Sequence, residues 1–521
     1  MKKFLFCLIF AVSLLANLYF ATEKSGYHED EYYTYYSSNR SLGLYQPDRE
    51  WQDRQTILDE FSVKKGEGFN YMMVSLVQSW DVHPPVYYFI FHTLCSFVPG
   101  VFTKWTGLIT NLIAFTLSFG LLILILKKLK APDYITFTIL AFYGLNPQTI
   151  SCTLLFRMYG WLTVAVLACA YLHLRIIEDY KQAGSDLKKL VIKYFLPVMA
   201  ISYLGFLTQY FYIFFFVSIG FALTVWLVFF RKDIKNGAVY VLCCAVSLGL
   251  AVISYPASLH HMFGGYRGSD AAGGLFDMST TGMRLSFFVG LLNDFVFAGG
   301  LIVIVIMIML GIMYNRLFLG KKAAKTVPDP KIVILSFAAL GYFLLTAKSA
   351  LLVGSASNRY EMPIYPLMIL LVFLDAHYVL GKIGNRTLMY VLCAVSAAFL
   401  LKGLAFDHNV LFLYKEDREK MAYAQENNGS VAVVMFNPAT PQNVWRLTDE
   451  LLMYQKVFYM DEENLEALTD PEVTGAEKII LYAADDDLQT KAFENLTTSC
   501  TKVSQMTKVS VEDMWTTYEV N

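Results

Sequence analysis

Apolar stretches long enough to cross a lipid bilayer recur along this chain from its second residue to about residue 404. A helix needs about 20 such residues to span the hydrocarbon, and nothing in the lipid satisfies backbone groups left open. After Met1-Lys2-Lys3, an apolar run to about Ala21 reads as a retained first helix with its lysines in the cytoplasm; a cleaved signal peptide is the alternative. Further segments fall near 84–99, 106–126, 134–150, 157–177, 190–207, 209–230, 237–256, 288–314, 331–353, 359–380 and 386–404. Charged residues make up only 16% of the chain, well under the ~25% of a soluble protein. The expected fold is a polytopic α-helical membrane protein with about 11–12 transmembrane segments.

Many connectors are basic: Lys127, Lys128 and Lys130; Arg231, Lys232 and Lys235; Arg316, Lys321, Lys322 and Lys325; Lys382 and Arg386. Such connectors stay in the cytoplasm. If every segment crossed, Lys127–Lys130 and Lys321–Lys325 could not both be inside. One segment among 84–99 and 134–150 is therefore expected to be short, re-entrant or split.

Residues 1–404 read as the membrane module. It carries an acidic, aromatic external loop at 22–83 and a second external loop at 257–287, His260-His261-Met262-Phe263-Gly264-Gly265-Tyr266-Arg267-Gly268, whose glycines suit either a mobile lid or a plain connector. Residues 405–521 read as a soluble α/β domain, with strands at Ser430–Phe436 and Lys478–Tyr482 and helices at Gln442–Tyr454 and Asp487–Asn495. The expected location is the cell membrane, with this domain on the extracytoplasmic side. The 42 basic and 43 acidic residues nearly cancel, so no global field attracts nucleic acid. The eight cysteines show no C-x-x-C pair or His/Cys set that would hold a structural metal.

Three groups of residues can carry chemistry. Tyr27-His28-Glu29-Asp30-Glu31-Tyr32-Tyr33 follows the first helix, so its carboxylates are tethered at the membrane edge. Trp80-Asp81-Val82-His83-Pro84-Pro85-Val86-Tyr87-Tyr88 closes the loop, and its two prolines suit a rigid start to a helix. Arg157, Lys348 and Arg359 lie within or at the ends of apolar segments, where a mid-bilayer cation costs about 2.5–3.5 kcal/mol. Such cations either snorkel to the interface or face a cavity or an anionic headgroup.

The acidic pair after the first helix, followed by D-x-H-P-P-x-Y-Y, resembles the lipid-dependent glycosyltransferases of the GT-C fold. The resemblance is to family 39 in the broad sense: the protein O-mannosyltransferases, the aminoarabinose transferase of lipid A and bacterial relatives. Asn146-Pro147 with Phe156-Arg157-Met158-Tyr159 is similar to their P…R-x-Y segment. Leu204 to Phe211 resembles an L-x-x-x-T-H-Y element, with Gln209 in place of His. Asn358-Arg359-Tyr360 with Pro363 and Pro366 resembles their late R-Y-x-x-P-x-x-P helix start.

The resemblance covers about residues 1–380. It implies an inverting glycosyltransferase moving a sugar from a polyprenyl-phosphate donor to an extracytoplasmic glycan, lipid or protein acceptor among membrane lipids. In that reading Asp30 is the base, Glu31 orients acceptor or sugar, and Asp81 shapes the site. His83, Arg157, Tyr159, Lys348, Arg359 and Tyr360 would bind the donor and its phosphate. No cofactor is required, though the acidic loop leaves room for a divalent metal. Two alternatives share some of these features: a polysaccharide polymerase or ligase, and a lipid-linked sugar transporter or flippase.

Overall fold

The computed structural model describes residues 2–40, 49–184, 186–318, 329–381, 386–407, 409–464, 468–499, 505–512 and 514–521. Lys321, Lys322, Lys325, Lys382 and Cys500 lie outside the described residues. The chain divides into two compact bodies: Met1–Thr22, Gln78–Ile90 and Gly107–Phe412 form one, and Glu23–Val77, Phe91–Thr106 and Leu413–Asn521 form the other. This division cuts across the boundary expected at residue 404, because most of the first external loop folds with the C-terminal residues.

The first body is helical. Among the described residues, nine helices are long and apolar enough to cross a membrane, beginning with α1 (Lys2–Glu23). A tenth span is counted if Thr281–Val296 and Leu301–Tyr314, bent by 95°, act as one. That is fewer than the 11–12 expected from hydropathy. The shortfall lies in Val86–Ser96 and Asp133–Leu145, at 11 and 13 residues. At 1.5 Å per residue neither reaches across ~30 Å of hydrocarbon.

The break after Leu145 has a local cause. The Asn146 side chain accepts from the Thr149 N–H at 2.9 Å and Pro147 takes the first helical position, so a second helix, Pro147–Leu154, starts at once. A buried Asn111 amide then donates to the carbonyls of Leu155 (2.6 Å) and Thr153 (3.2 Å). This supplies the hydrogen bonds that non-helical backbone at this depth requires.

The second external loop is mainly helical, over His260–Gly264, Tyr266–Phe276 and Thr281–Leu291. Two of its glycines allow close packing: a Cβ at Gly268 would meet the His261 carbonyl oxygen at 2.4 Å, and one at Gly274 the Lys348 carbonyl oxygen at 2.6 Å.

The second body is built on a six-stranded sheet: β1 (Trp51–Asp53), β2 (Val431–Met435), β3 (Lys456–Met460), β4 (Ile479–Ala483), β5 (Met506–Val511) and β6 (Thr516–Val520), in the order β1-β3-β2-β4-β6-β5. The central trio β3-β2-β4 is parallel and the outer pairings are antiparallel. Val433, Met435 and Leu481 pack on one face, and Ala432, Val434 and Ile480 on the other. Burial on both faces explains why Ser430–Phe436 reads as an unbroken apolar run. The expected helix at Gln442–Tyr454 is instead a 3₁₀ turn, Pro441–Leu447, followed by one α turn, Thr448–Leu451. β1, contributed by the first external loop, pairs Trp51 with Phe458 and Asp53 with Lys456.

Candidate active site

In the membrane body, the D-x-H-P-P stretch forms the bend between Tyr71–Trp80 and Val86–Ser96. There Asp81 Oδ2 lies 3.1 Å from His83 Nδ1. His83 Nε2 lies 3.0 Å from Arg157 Nη2, and Arg157 Nη1 donates to the Tyr88 hydroxyl at 3.2 Å. A guanidinium can only donate, so His83 Nε2 must accept and its proton sits on Nδ1, facing Asp81. The chain Asp81–His83–Arg157–Tyr88 therefore has one consistent set of donors and acceptors. Burial pushes the Asp81 carboxyl up, but His83 and the Arg157 charge outweigh it and hold it below the usual carboxylate range.

Arg157 is 3% exposed and Arg359 8%. The Arg359 guanidinium lies over the Tyr360 ring at 5.2 Å and donates to its hydroxyl at 3.3 Å. Tyr159 meets the same ring edge-on, 5.9 Å between centroids. The two arginine segments are thus joined by a Tyr159–Tyr360 contact.

Lys348 is differently engaged. Its ammonium donates to the Thr281 hydroxyl at 2.7 Å and to the Asp277 carbonyl, pinning the second external loop. His261 of that loop faces the Ser79 carbonyl at 3.2 Å and the Tyr210 hydroxyl at 2.9 Å. Gln209, where the resembling motif has His, accepts from the Phe211 N–H at 2.8 Å and caps a helix break. Elsewhere in this body, Asn111, Ser118, Gln148, Thr153 and Tyr365 help line a small pocket of about 20 Å³. No lining side chain is charged, which makes it a poor home for a phosphate.

In the second body, α2 (Glu29–Asn39) carries the acidic motif, and its three carboxylates are not equivalent. Glu31 is fully buried, 3.0 Å from the equally buried Lys24 ammonium, and accepts from the His28 N–H at 2.6 Å. His28 Nδ1 accepts from the Asp30 N–H at 3.0 Å, completing a capping box. Burial pulls the Lys24 ammonium below its usual range, and Glu31 opposes that pull. Removing one member of such a pair costs about 3–5 kcal/mol, because it strands a buried charge. Glu29 is paired with Arg446. The Asp30 side chain remains 28% exposed, with His28 Nδ1 3.7 Å away. Among the described residues no three His, Cys, Asp or Glu side chains gather as a metal site.

No described protein family matches the sequence, and no curated protein matches it. Solved structures do. The crystal structure of ArnT from Cupriavidus metallidurans bound to undecaprenyl phosphate superposes with a TM-score of 0.52 at 12% identity, over 98% of this chain and 97% of that one. The chain has the ArnT fold. The apo form of the same transferase superposes at 0.46 and 10% identity, over 94% and 96% of the two chains. The fold agrees with the GT-C architecture that the motifs resemble.

On this ArnT-like scaffold the structure brings His83, Asp81 and Arg157 together, and Tyr159 with Tyr360 and Arg359. It commits Lys348 to the second loop and Glu31 to a buried ion pair. Sequence reading missed Tyr88, Tyr210, His261 and Lys24. Tyr88 stood inside the quoted motif, but aromatic residues are too common here for it to be singled out. Lys24 gave no signal beyond its position next to α1.

Proposed function

We propose that this chain is a membrane glycosyltransferase that takes a sugar from a polyprenyl-phosphate donor and passes it to an acceptor on the extracytoplasmic side. The observation that carries this reading is the buried Arg157, fixed by His83 and Tyr88 in a fold shared with a protein bound to undecaprenyl phosphate. A displaced polyprenyl phosphate develops charge, and a guanidinium offers it paired donors. Arg157 and Arg359 take that role, with Tyr159 and Tyr360 as the aromatic wall between their segments. His83, kept as the Nδ1–H tautomer by Asp81, orients Arg157.

Asp30 is the base. Of the three neighbouring carboxylates, Glu31 is committed to the buried Lys24 and Glu29 to Arg446, while Asp30 keeps a side chain 28% exposed at the start of α2, where an acceptor can reach it. Inverting displacement at the anomeric carbon needs one group to take the acceptor proton and one site to hold the leaving phosphate. The Lys348 and Glu31 geometry favours scaffold roles for both. Asp30→Asn should abolish sugar transfer by the purified, correctly inserted chain while donor-lipid binding persists. Turnover at the wild-type rate would remove Asp30 from the mechanism.

A further inference from the structure

We infer that the C-terminal domain is a working part of the catalytic apparatus: Arg446 and Trp445 are positioning residues that set the rotation of α2, and with it the aim of Asp30. This rests on the reading of Asp30 as the base.

The helix cannot hold itself. It has 11 residues, with four tyrosines and three residues of Ser or Asn type at its C-terminal half, and helices shorter than ~12–15 residues are marginal in water even with better helix formers. Its geometry must come from packing. Glu29, Tyr33 and Tyr36 fall at i, i+4 and i+7, one stripe of an α-helix, and all three meet the same two residues of the Pro441–Leu447 turn. Arg446 pairs with Glu29. Trp445, 4% exposed, packs edge-on to Tyr33 at 5.0 Å and against Tyr36 at 4.7 Å.

A second stripe is fixed independently. Glu31 is held by Lys24, and the Tyr35 hydroxyl donates to the Thr103 carbonyl at 2.5 Å. Asp30 lies between the two stripes. The approach to the helix is tied down as well: Ser25 N–H donates to the Leu413 carbonyl at 2.8 Å, and Arg418 Nε donates to the Ser25 hydroxyl at 2.6 Å. Contacts more than 380 residues away in sequence therefore brace α2 on the side of Glu29 and at its start.

The Arg446–Glu29 pair is partly exposed, at 23% and 40% of the side chains. Such pairs contribute little to global stability. What the pair supplies is angle, and a misplacement of ~1 Å can cost about 100-fold in rate.

The test uses the full chain in detergent or nanodiscs, with Arg446→Ala, Arg446→Lys and the charge exchange Glu29→Arg/Arg446→Glu. Arg446→Ala should lower kcat by about 10- to 100-fold with KM for the polyprenyl-phosphate sugar within about twofold, and faster amide hydrogen exchange across residues 29–39 should accompany it while β2 and β4 stay protected. The charge exchange should recover most of both losses, which a merely structural scar would not. If Arg446→Ala turns over normally with α2 exchange unchanged, the positioning role is overturned. The exchange experiment needs no turnover, so it decides the α2 contact even if Asp30→Asn shows that the catalytic reading itself is wrong. Should Arg446→Ala fail to fold, Arg446→Lys and the exchanged pair carry the comparison: recovery supports the clamp, and equal loss in both rejects it.

Discussion

At the scale of single residues, the second body holds carboxyls whose protons are bound unusually tightly. Burial, then Asp417, pushes Asp449 up to about 7; burial, then Glu512, pushes Glu450 up to about 8. In the unfolded chain both titrate near 4. The folded state therefore binds their protons more strongly, so their stabilisation is complete below pH ~4 and is lost as pH rises through about 7 and about 8. Asp449→Asn should flatten the decline in melting temperature between pH 5 and 9, by an amount on the order of 1–2 kcal/mol once coupling and partial exposure are allowed for. Parallel wild-type and variant curves would show that Asp449 does not titrate in this window. Asp449 was invisible in the sequence because a carboxylate in Leu447-Thr448-Asp449-Glu450 reads as a helix-start residue facing water. The bend at Asp81 was legible because two prolines mark where the backbone must go, whereas no sequence pattern shows that Lys348 will reach the Asp277 carbonyl.

At the scale of elements, β2 and β4 were legible as continuous apolar runs, because burial on both faces leaves no alternation to confuse them. β1 was not: three residues carry too little signal, and what makes them a strand is their partner β3. That pairing is bolted by Arg49, which donates to Asp461 through Nε at 2.6 Å and meets Glu463 at 2.7 Å. The Asp461 side chain is fully buried, so removing the guanidinium leaves a buried acceptor short of donors, a loss of about 1–3 kcal/mol. Arg49→Ala should lower stability by that amount and hasten tryptic cleavage at the neighbouring Arg54, measured by limited proteolysis of the folded protein. Unchanged cleavage at Arg54 would mean that β1 is held by something other than this ion pair.

At the scale of the whole chain, the sheet constrains a conflict that basic connectors alone leave open. β1 and β3 share one sheet, so residues 51–53 and 456–460 lie on one side of the membrane. The Tyr35–Thr103, Gly100–Val63 and Phe69–Ser96 hydrogen bonds tie residues 96–103 to the same body. The stretch holding Val86–Ser96 thus leaves this body and rejoins it without crossing. From Lys104 to Ala405 the number of crossings must then be even. Among the described residues eight single helices there are long and apolar enough to cross, so an even count predicts that the bent pair Thr281–Val296 with Leu301–Tyr314 and the composite Asp133–Leu154 either both cross or both do not. If neither crossed, Arg231, Lys232 and Lys235 would face outward, against the charge rule. If both crossed, the basic connectors among the described residues would stay inside and the second loop and the C-terminal residues would face outward, which is the arrangement the charge rule predicts. In a chain whose native cysteines are replaced by serine, Lys130→Cys and Lys232→Cys should resist a membrane-impermeant maleimide applied to intact cells, while Ser269→Cys and Asn428→Cys should react. Labelling of Lys232→Cys from outside would break the predicted parity, and with it the expectation that the second loop faces outward.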